Sequence, residues 1–366
     1  MRYLILFCSL ILITQKIQAQ GCCSGGSGSP IAGGASQGVL QDRQMEIGAN
    51  YQMNSTNKFM SKDKDTASTI DNFNSNYLYL RLAYGLTKNL TMSVESGYYI
   101  NKTQIGLYHR DTVKSGGIGD LILFPRYDVY NRTTETRRTE LTLGLGFKIP
   151  LGKYDDSTSY LDWRGRTRYY PSPPTVQPTN GSNDFIFYGF FFKGYPLKNF
   201  RLFTNAIYIH KGYNPLGQKF GDYASVGLFA GKTFFKKLGV TLQVRGEWIG
   251  KMKYDKKVDM TALYNIDPLS TGGRKVFFVP QLSYSQKNFT VYASTEIPLY
   301  QYVNRVQVAS QYQATVGISY RFMTYKNIKL NNNPEAAYVC PMNCEGSESA
   351  TPGKCKECGM DLIKKK

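Results

Sequence analysis

The segment YLYLRLAYGLTKNLTMSV, residues 77–94, alternates apolar side chains with others on both sides of a short polar interruption. Successive side chains of a β-strand point to opposite faces, so this alternation predicts two strands joined by a tight turn at Thr87-Lys88-Asn89. The shared apolar face comprises Leu78, Leu80, Leu82, Tyr84 and Leu86 before the turn and Leu90, Met92, Val94 and Tyr98 after it.

The same alternation runs from Met45 to Phe322 and predicts an all-β domain of twelve strands. The composition agrees, because 29 Tyr, 20 Phe and 35 Gly with only 2 Trp are typical of short, half-buried strands joined by Gly-rich turns. The first strand has Met45, Ile47, Ala49, Tyr51 and Met53 on one face. The predicted strands lie near 45–53, 78–86, 90–98, 117–130, 139–149, 184–194, 200–211, 221–235, 238–250, 275–285, 288–299 and 309–323.

The connections between these strands alternate in length. Short ones lie at 87–89, 131–138, 195–199, 235–237 and 286–287, and mostly longer, polar ones at 54–73, 101–116, 150–183, 212–220, 251–274 and 300–308. Short turns on one side and long loops on the other are typical of an antiparallel outer-membrane β-barrel in contact with lipid, here over residues 41–323. An even strand number puts both termini on the periplasmic side. A soluble β-sandwich or a surface adhesin is the structural alternative, but a sandwich does not require one-sided loop lengths.

The N-terminal residues 1–20 have the charged start, apolar run and small residues of a secretory signal peptide. Residues 21–40 are rich in Gly and Ser and predict a flexible arm. No later stretch has the roughly 18 uninterrupted apolar residues of a membrane-spanning helix. The formal charge of +19 would suggest nucleic acid as a partner, but an exported chain does not meet it. Lys and Arg therefore either coat the loops and the lumen or line an anion-favouring pore.

Two barrel segments carry a family resemblance. Gly117-Ile118-Gly119-Asp120-Leu121 with Arg126-Tyr127, and the later run at 144–152 (GLGFKIPLG), are similar to the outer-membrane transporter family associated with the meta-pathway of phenol degradation. The terminal strand at 318–322 (ISYRF) resembles the signal by which such barrels are recognised for assembly. These resemblances imply an outer-membrane transporter with an appended domain after residue 323.

The C-terminal tail holds four of the seven cysteines in two pairs, Cys340-x3-Cys344 and Cys355-x2-Cys358, ten residues apart. Thiolates bind soft and borderline metals, and two such pairs on a short loop can close a tetrahedral four-sulfur site. Met342 and Met360 stand two residues after Cys340 and Cys358. Thioethers add little for zinc but suit Cu(I), so the tail favours copper over zinc.

A linker at 324–337 joins the barrel to a domain predicted at 338–366. Roughly residues 338–363 of it resemble the small heavy-metal-binding domain of copper-transporting P-type ATPases and periplasmic metal-efflux adaptors. The resemblance rests on Cys-Pro-Met at 340–342 and on Cys-x-x-Cys-Gly-Met at 355–360. It implies ligand roles for Cys340, Met342, Cys355, Cys358 and Met360. The family usually has His-Pro where this chain has Asn343-Cys344, and Cys344 is added as a ligand on chemical grounds.

Other uses of these cysteines remain open. The tail cysteines could form two structural disulfides in an oxidising periplasm, although disulfides explain neither methionine. A redox role for Cys355-x2-Cys358 lacks the βαβ pattern that surrounds thioredoxin-like motifs. Cys22 and Cys23 form a candidate second metal site on the arm, with a disulfide or lipidation of Cys22 as the simpler alternatives.

The functional expectation is an outer-membrane barrel that binds copper or zinc through its tail, in metal transport, efflux or homeostasis, with periplasmic efflux components as partners. The alternative is a passive transporter of small hydrophobic or anionic solutes whose tail is a structural metal or disulfide knob. No enzyme is predicted, because His109 and His210 stand in no recognisable arrangement with a nucleophile.

Overall fold

The computed structural model is nearly all-β and falls into two compact units, Met1–Phe322 and Met323–Lys366. The residues that the structure describes are 38–68, 70–106, 112–134, 136–161, 164–235, 237–258, 267–311, 313–324, 337–339, 348–353 and 362–364. The helices among them are single short turns, and none could cross a bilayer.

Twelve long antiparallel strands build the first unit and confirm the predicted strand number. They are β1 (Gln44–Thr56), β2 (Ile70–Gly85), β3 (Leu90–Gly106), β4 (Val113–Thr133), β5 (Arg138–Pro150), β6 (Asp184–Tyr195), β7 (Phe200–Lys211), β8 (Tyr223–Phe234), β9 (Leu238–Ile249), β10 (Gly273–Gln286), β11 (Phe289–Val308) and β12 (Gln313–Met323).

The sheet closes on itself. Each strand pairs with the next along the chain, and β12 returns to pair with β1. The ladders are long, as in β1 and β2, where the register runs from Met45↔Tyr84 to Thr56↔Phe73. An antiparallel sheet with every strand paired on both sides is a closed barrel, which has no open edge.

The two rims of the barrel differ. The rim that we name the turn end carries the short connections 86–89, 134–137, 196–199, 235–237 and 287–288. The opposite rim, the loop end, carries the longer ones, including 57–69, 151–183 and 250–272. There, the hairpin Phe59–Lys62 with Lys64–Thr66 pairs with the end of β11. The predicted alternation of short and long connections is therefore confirmed in its main features.

The outer surface of the barrel is apolar. Ile47, Leu80 and Val316 face outward and are 47%, 53% and 54% exposed, respectively. Intervening positions such as Gln52 and Glu95 face the lumen and are buried. Apolar outside and polar inside is what a lipid-facing barrel requires, so the predicted apolar faces are lipid-facing faces.

Glycines in the segment 144–152 create space inside the wall. A Cβ atom at Gly146 would lie 2.8 Å from the ring of Phe124, which is fully buried on the adjacent strand β4. Phe124 packs into an aromatic and aliphatic lumen cluster with Ile122, Ile186, Tyr188, Phe190 and Ile207. Side chains therefore fill much of the lumen beside these strands.

The second unit contains a two-stranded antiparallel pair, Tyr338–Val339 with Ile363–Lys364. Leu362 N also donates a hydrogen bond to Gly353 O at 2.8 Å. This pairing joins the two ends of the segment that contains the four tail cysteines.

Candidate functional site: the barrel lumen and the C-terminal tail

Ionised side chains form a paired network on one side of the lumen. Such groups are costly to bury unless they are paired. Arg81 on β2 reaches two carboxylates: its Nη1 lies 3.6 Å from Glu46 Oε1, and its Nε lies 3.4 Å from Glu95 Oε1. Glu95 also accepts hydrogen bonds from Ser93 Oγ at 2.8 Å and from the hydroxyl of Tyr79. This network links three neighbouring strands, β1, β2 and β3.

A second network lies on β8, β9 and β11. Arg245 donates to both oxygens of Glu296, from Nη1 at 3.0 Å and from Nη2 at 2.6 Å. Its Nη2 also lies 2.9 Å from Glu247 Oε1, which accepts a hydrogen bond from Tyr223 OH at 2.8 Å. Bidentate geometry of this kind makes an Arg–carboxylate pair both strong and directional.

From the loop end, a part of the loop between β5 and β6 enters the barrel. We name residues 172–183 the inward segment, because Val176, Thr179 and Ser182 are at most 2% exposed. Lys102 on β3 donates from Nζ to Gln177 O at 2.8 Å, and Thr175 Oγ1 donates to Gln104 Oε1 at 3.2 Å. The long loop therefore narrows the lumen.

Lys148 on β5 is the second attachment point of the inward segment. Its Nζ lies 3.1 Å from Asp120 Oδ2 and 3.0 Å from Asp184 Oδ2, and it donates to Asn180 Oδ1 at 3.2 Å. Asn180 O in turn accepts a hydrogen bond from Asn214 Nδ2 at 2.9 Å. The segment is thus bound to strands and to a neighbouring loop.

From the turn end, residues 38–40 enter the lumen. Leu40 is 3% exposed, and its backbone N donates to Thr91 Oγ1 at 2.8 Å. Val39 N donates to Glu140 Oε1 at 3.3 Å. The end of the predicted N-terminal arm therefore occupies this mouth of the barrel.

At the loop end, Asp267 is held by its surroundings. The hydroxyl of Ser270 donates to Asp267 Oδ2 at 2.7 Å, Leu269 N donates to Oδ1 at 2.9 Å, and Arg305 Nη1 lies 2.8 Å from Oδ2. These groups, the Ser270 hydrogen bond first, hold the pKa of Asp267 below its usual value. Asp267 is therefore a paired anion at neutral pH.

The metal ligands predicted from the sequence lie outside the described residues. They are Cys340, Met342, Cys344, Cys355, Cys358 and Met360 in the tail and Cys22 and Cys23 in the arm. Within the described ranges, no cluster of three or more His, Cys, Asp or Glu could hold a metal ion. His210 is exposed at the end of β7, with Nδ1 3.4 Å from Asp222 Oδ2, and His109 is not among the described residues.

Lys and Arg were expected in the lumen, but their pairing with buried carboxylates was not predicted. Arg81, Glu95 and Arg126 alternate with the apolar, lipid-facing residues of their strands and therefore point to the lumen. These inward positions were the signal in the sequence that could have revealed the ion pairs. Charged residues at the inward positions of barrel strands indicate a polar or ion-paired lumen.

Comparison with known proteins supports both parts of the chain. Residues 337–365 match the family model described as "Heavy metal binding domain". The barrel is similar to the crystal structure of an outer membrane channel from Pseudomonas putida F1, with a TM-score of 0.61 and 12% identity over 79% of this chain and 99% of that chain. At this identity the similarity shows the fold alone. No curated protein matches the chain.

Two further structures share less of the geometry. The translocator domain of the autotransporter NalP from Neisseria meningitidis has a TM-score of 0.43 and 10% identity over 77% of this chain and 90% of that chain. The P. putida toluene transporter TodX has a TM-score of 0.38 and 9% identity over 78% of this chain and 92% of that chain. The chain thus combines a closed twelve-stranded barrel resembling an outer-membrane channel with a C-terminal heavy metal binding domain.

Proposed function

We propose that this protein resides in the bacterial outer membrane and binds a soft metal ion through its C-terminal domain, with Cu(I) preferred and zinc as the alternative. The observation that carries the proposal is the match of residues 337–365 to a heavy metal binding domain on a chain whose barrel has a channel fold. The domain serves metal transport, efflux or homeostasis, and periplasmic efflux components are its proposed partners.

The donor set supports a soft metal. Cys340, Cys344, Cys355 and Cys358 offer four thiolates, which suit Cu(I) and zinc. Met342 and Met360 add thioethers, which favour Cu(I). The antiparallel pairing of Tyr338–Val339 with Ile363–Lys364 supports a single site, because it closes the chain that carries both cysteine pairs into one loop.

The proposed domain boundaries follow the sequence expectation: a signal peptide at 1–20, an arm at 21–40, the barrel at 41–323, a linker at 324–337 and the metal domain at 338–366. The even number of strands supports a periplasmic position for both termini. Cys22 and Cys23 would then share a compartment with the tail and could form the second metal site. No catalytic residue is part of the proposal.

Metal analysis of the full-length protein tests the proposal. The protein is purified in detergent under reducing conditions, loaded with Cu(I) or Zn²⁺, and its bound metal is measured by elemental analysis. We expect the tail to bind about one ion per chain, which is lost when the four tail cysteines are replaced by Ser and kept in the variant with Cys22→Ser and Cys23→Ser, because that variant removes only the candidate second site. Absence of stoichiometric metal in the unaltered protein would overturn the metal role.

A second candidate function is passive transport of small hydrophobic or anionic solutes, with the tail as a structural knob. The observation that favours it is the lumen lined by ion pairs and narrowed by loops, which suits small solutes better than large ones. Removal of residues 324–366 distinguishes the two functions in cells. The metal function predicts lost copper tolerance, whereas the transport function predicts unchanged copper tolerance and unchanged solute uptake.

A further inference from the structure

The loop end of the barrel contains a cavity of about 370 Å³. Its walls include Phe59, the inward segment, the loop residues 250–252 and 267–272 and the end of β11. Most of the lining is hydrocarbon, contributed by Phe59, Ile70, Pro174, Phe220, Met252 and Val308, among others. A concave apolar cavity of this size matches the usual dimensions of a small-molecule site, about 300–1,000 Å³.

Among the described residues, one cation lines this cavity. Lys211, the last residue of β7, is 5% exposed. In the part of the chain that the structure describes, its Nζ forms no hydrogen bond and has no carboxylate oxygen within 4.0 Å. Asp184, its partner in the β6–β7 register, is bound instead by Lys148 and Ser182.

The other buried lysines of the lumen differ from Lys211. Lys102 donates to Gln177 O, Lys148 contacts Asp120 and Asp184, and Lys275 donates to Ser310 Oγ at 2.8 Å. Asp267, the carboxylate among the described lining residues, is already paired with Arg305. The cavity therefore has apolar walls and a buried lysine that forms no direct ion pair with the described carboxylates.

A buried charge without a direct ion pair is unfavourable, and a ligand that supplies the opposite charge lowers this cost. We propose that the cavity binds a small amphipathic anion, a carboxylate on an aromatic or short aliphatic body, with Lys211 as its counter-ion. An inorganic anion would leave the apolar walls in contact with water, whereas a neutral hydrophobic molecule would leave Lys211 without a counter-ion. This site goes beyond the metal function and specifies the substrate class of the proposed passive transport.

The ligand preference of the full-length protein in detergent tests this site by calorimetry with three water-soluble probes: benzoate, benzyl alcohol and acetate. We expect benzoate to bind about tenfold or more tightly than either of the others, since a hydrogen bond to a charged group and the apolar walls both contribute. Equal affinities for benzoate and benzyl alcohol would overturn the proposal, and this comparison requires no variant.

Substitution then tests the role of Lys211. Lys211→Met should weaken benzoate binding about tenfold or more and leave benzyl alcohol binding unchanged, while Lys211→Arg should retain benzoate within a few fold. Lys58→Met is the matched control, because Lys58 is also at the loop end but pairs with Asp65 at 2.8 Å. Unchanged benzoate affinity in Lys211→Met would refute the assignment. A chain lacking residues 324–366 should bind benzoate normally, so a failure here is distinct from a failure of the metal function.

Discussion

Arg321 on the last barrel strand donates a hydrogen bond from Nε to Oε2 of Glu46 on the first strand. The two residues are 275 positions apart, and their contact lies where β12 meets β1. Glu46 is 2% exposed and also lies near Arg81, so one carboxylate compensates two guanidinium groups at the closure of the barrel.

Replacement of this carboxylate should destabilise the closed barrel. We expect Glu46→Gln to lower the free energy of unfolding by about 3 kcal/mol, because two cations lose a buried partner. Urea unfolding in lipid vesicles measures the change. Asp42→Asn is the control, since Asp42 is exposed and lies 3.8 Å from Arg43, a pair that contributes little. Equal unfolding midpoints for both variants would contradict the prediction.

Release of the inward segment should widen the pore. Lys102→Met removes the donor to Gln177 O, so we expect a higher single-channel conductance in planar bilayers than for the unaltered protein. Lys153→Met serves as the matched variant. Lys153 is on the loop that contains the inward segment, but its side chain is largely exposed, with Nζ 3.4 Å from Asp156 Oδ1. Conductance that rises equally in both variants would show that the loss of charge, and not the release of the segment, is responsible.

The turn-end mouth should open when Leu40 is shortened. Leu40→Ala removes most of a buried side chain. It should make the binding of residues 38–40 within the turn-end mouth less favourable by about 2–3 kcal/mol. The expected result is a larger conductance or more frequent open events in single-channel recordings. Leu197→Ala is the comparison, because Leu197 is 77% exposed in a turn at the same rim. A conductance identical to that of Leu197→Ala would argue against a plug at this mouth.

The tail methionines should discriminate between metals. We expect the double change Met342→Leu and Met360→Leu to lower Cu(I) affinity about tenfold and to leave zinc affinity nearly unchanged, because thioether sulfur suits Cu(I). Competition with a colorimetric chelator for each ion measures both affinities on the full-length protein. Equal losses for the two ions would indicate a structural role for the methionines.

The strands were predictable because lipid and lumen impose opposite chemistry on alternate side chains. Ile47 and Leu80 lie on the lipid face that the alternation indicates, and twelve strands form where twelve were expected. The ends of the strands were less accessible to sequence reasoning: β11 continues to Val308, well beyond the alternating stretch, because the hairpin at Phe59–Lys62 pairs with its end.

The inward segment was not predicted, since its Ser, Thr, Asn and Gln residues are equally typical of a solvated loop. Its burial depends on contacts such as Lys102 with Gln177, which are 75 positions apart and leave no local pattern. The same holds for Lys211, whose lack of a direct ion pair becomes evident only after Asp184 is seen to contact Lys148. The tail ligands, in contrast, were inferred from a local motif and its family resemblance, with Cys344 added on chemical grounds, and their roles stay predictions.

The described strands of the barrel leave no row of unpaired backbone amides, because the ladder continues through the β12–β1 contact. Strand swapping and fibrillar stacking start at such rows, so the folded barrel resists both. The vulnerable species is the chain before closure, when Gln44–Thr56 and Gln313–Met323 are each paired on one side only. The pairing of these two segments with each other is therefore the step that removes the last open edges of the sheet.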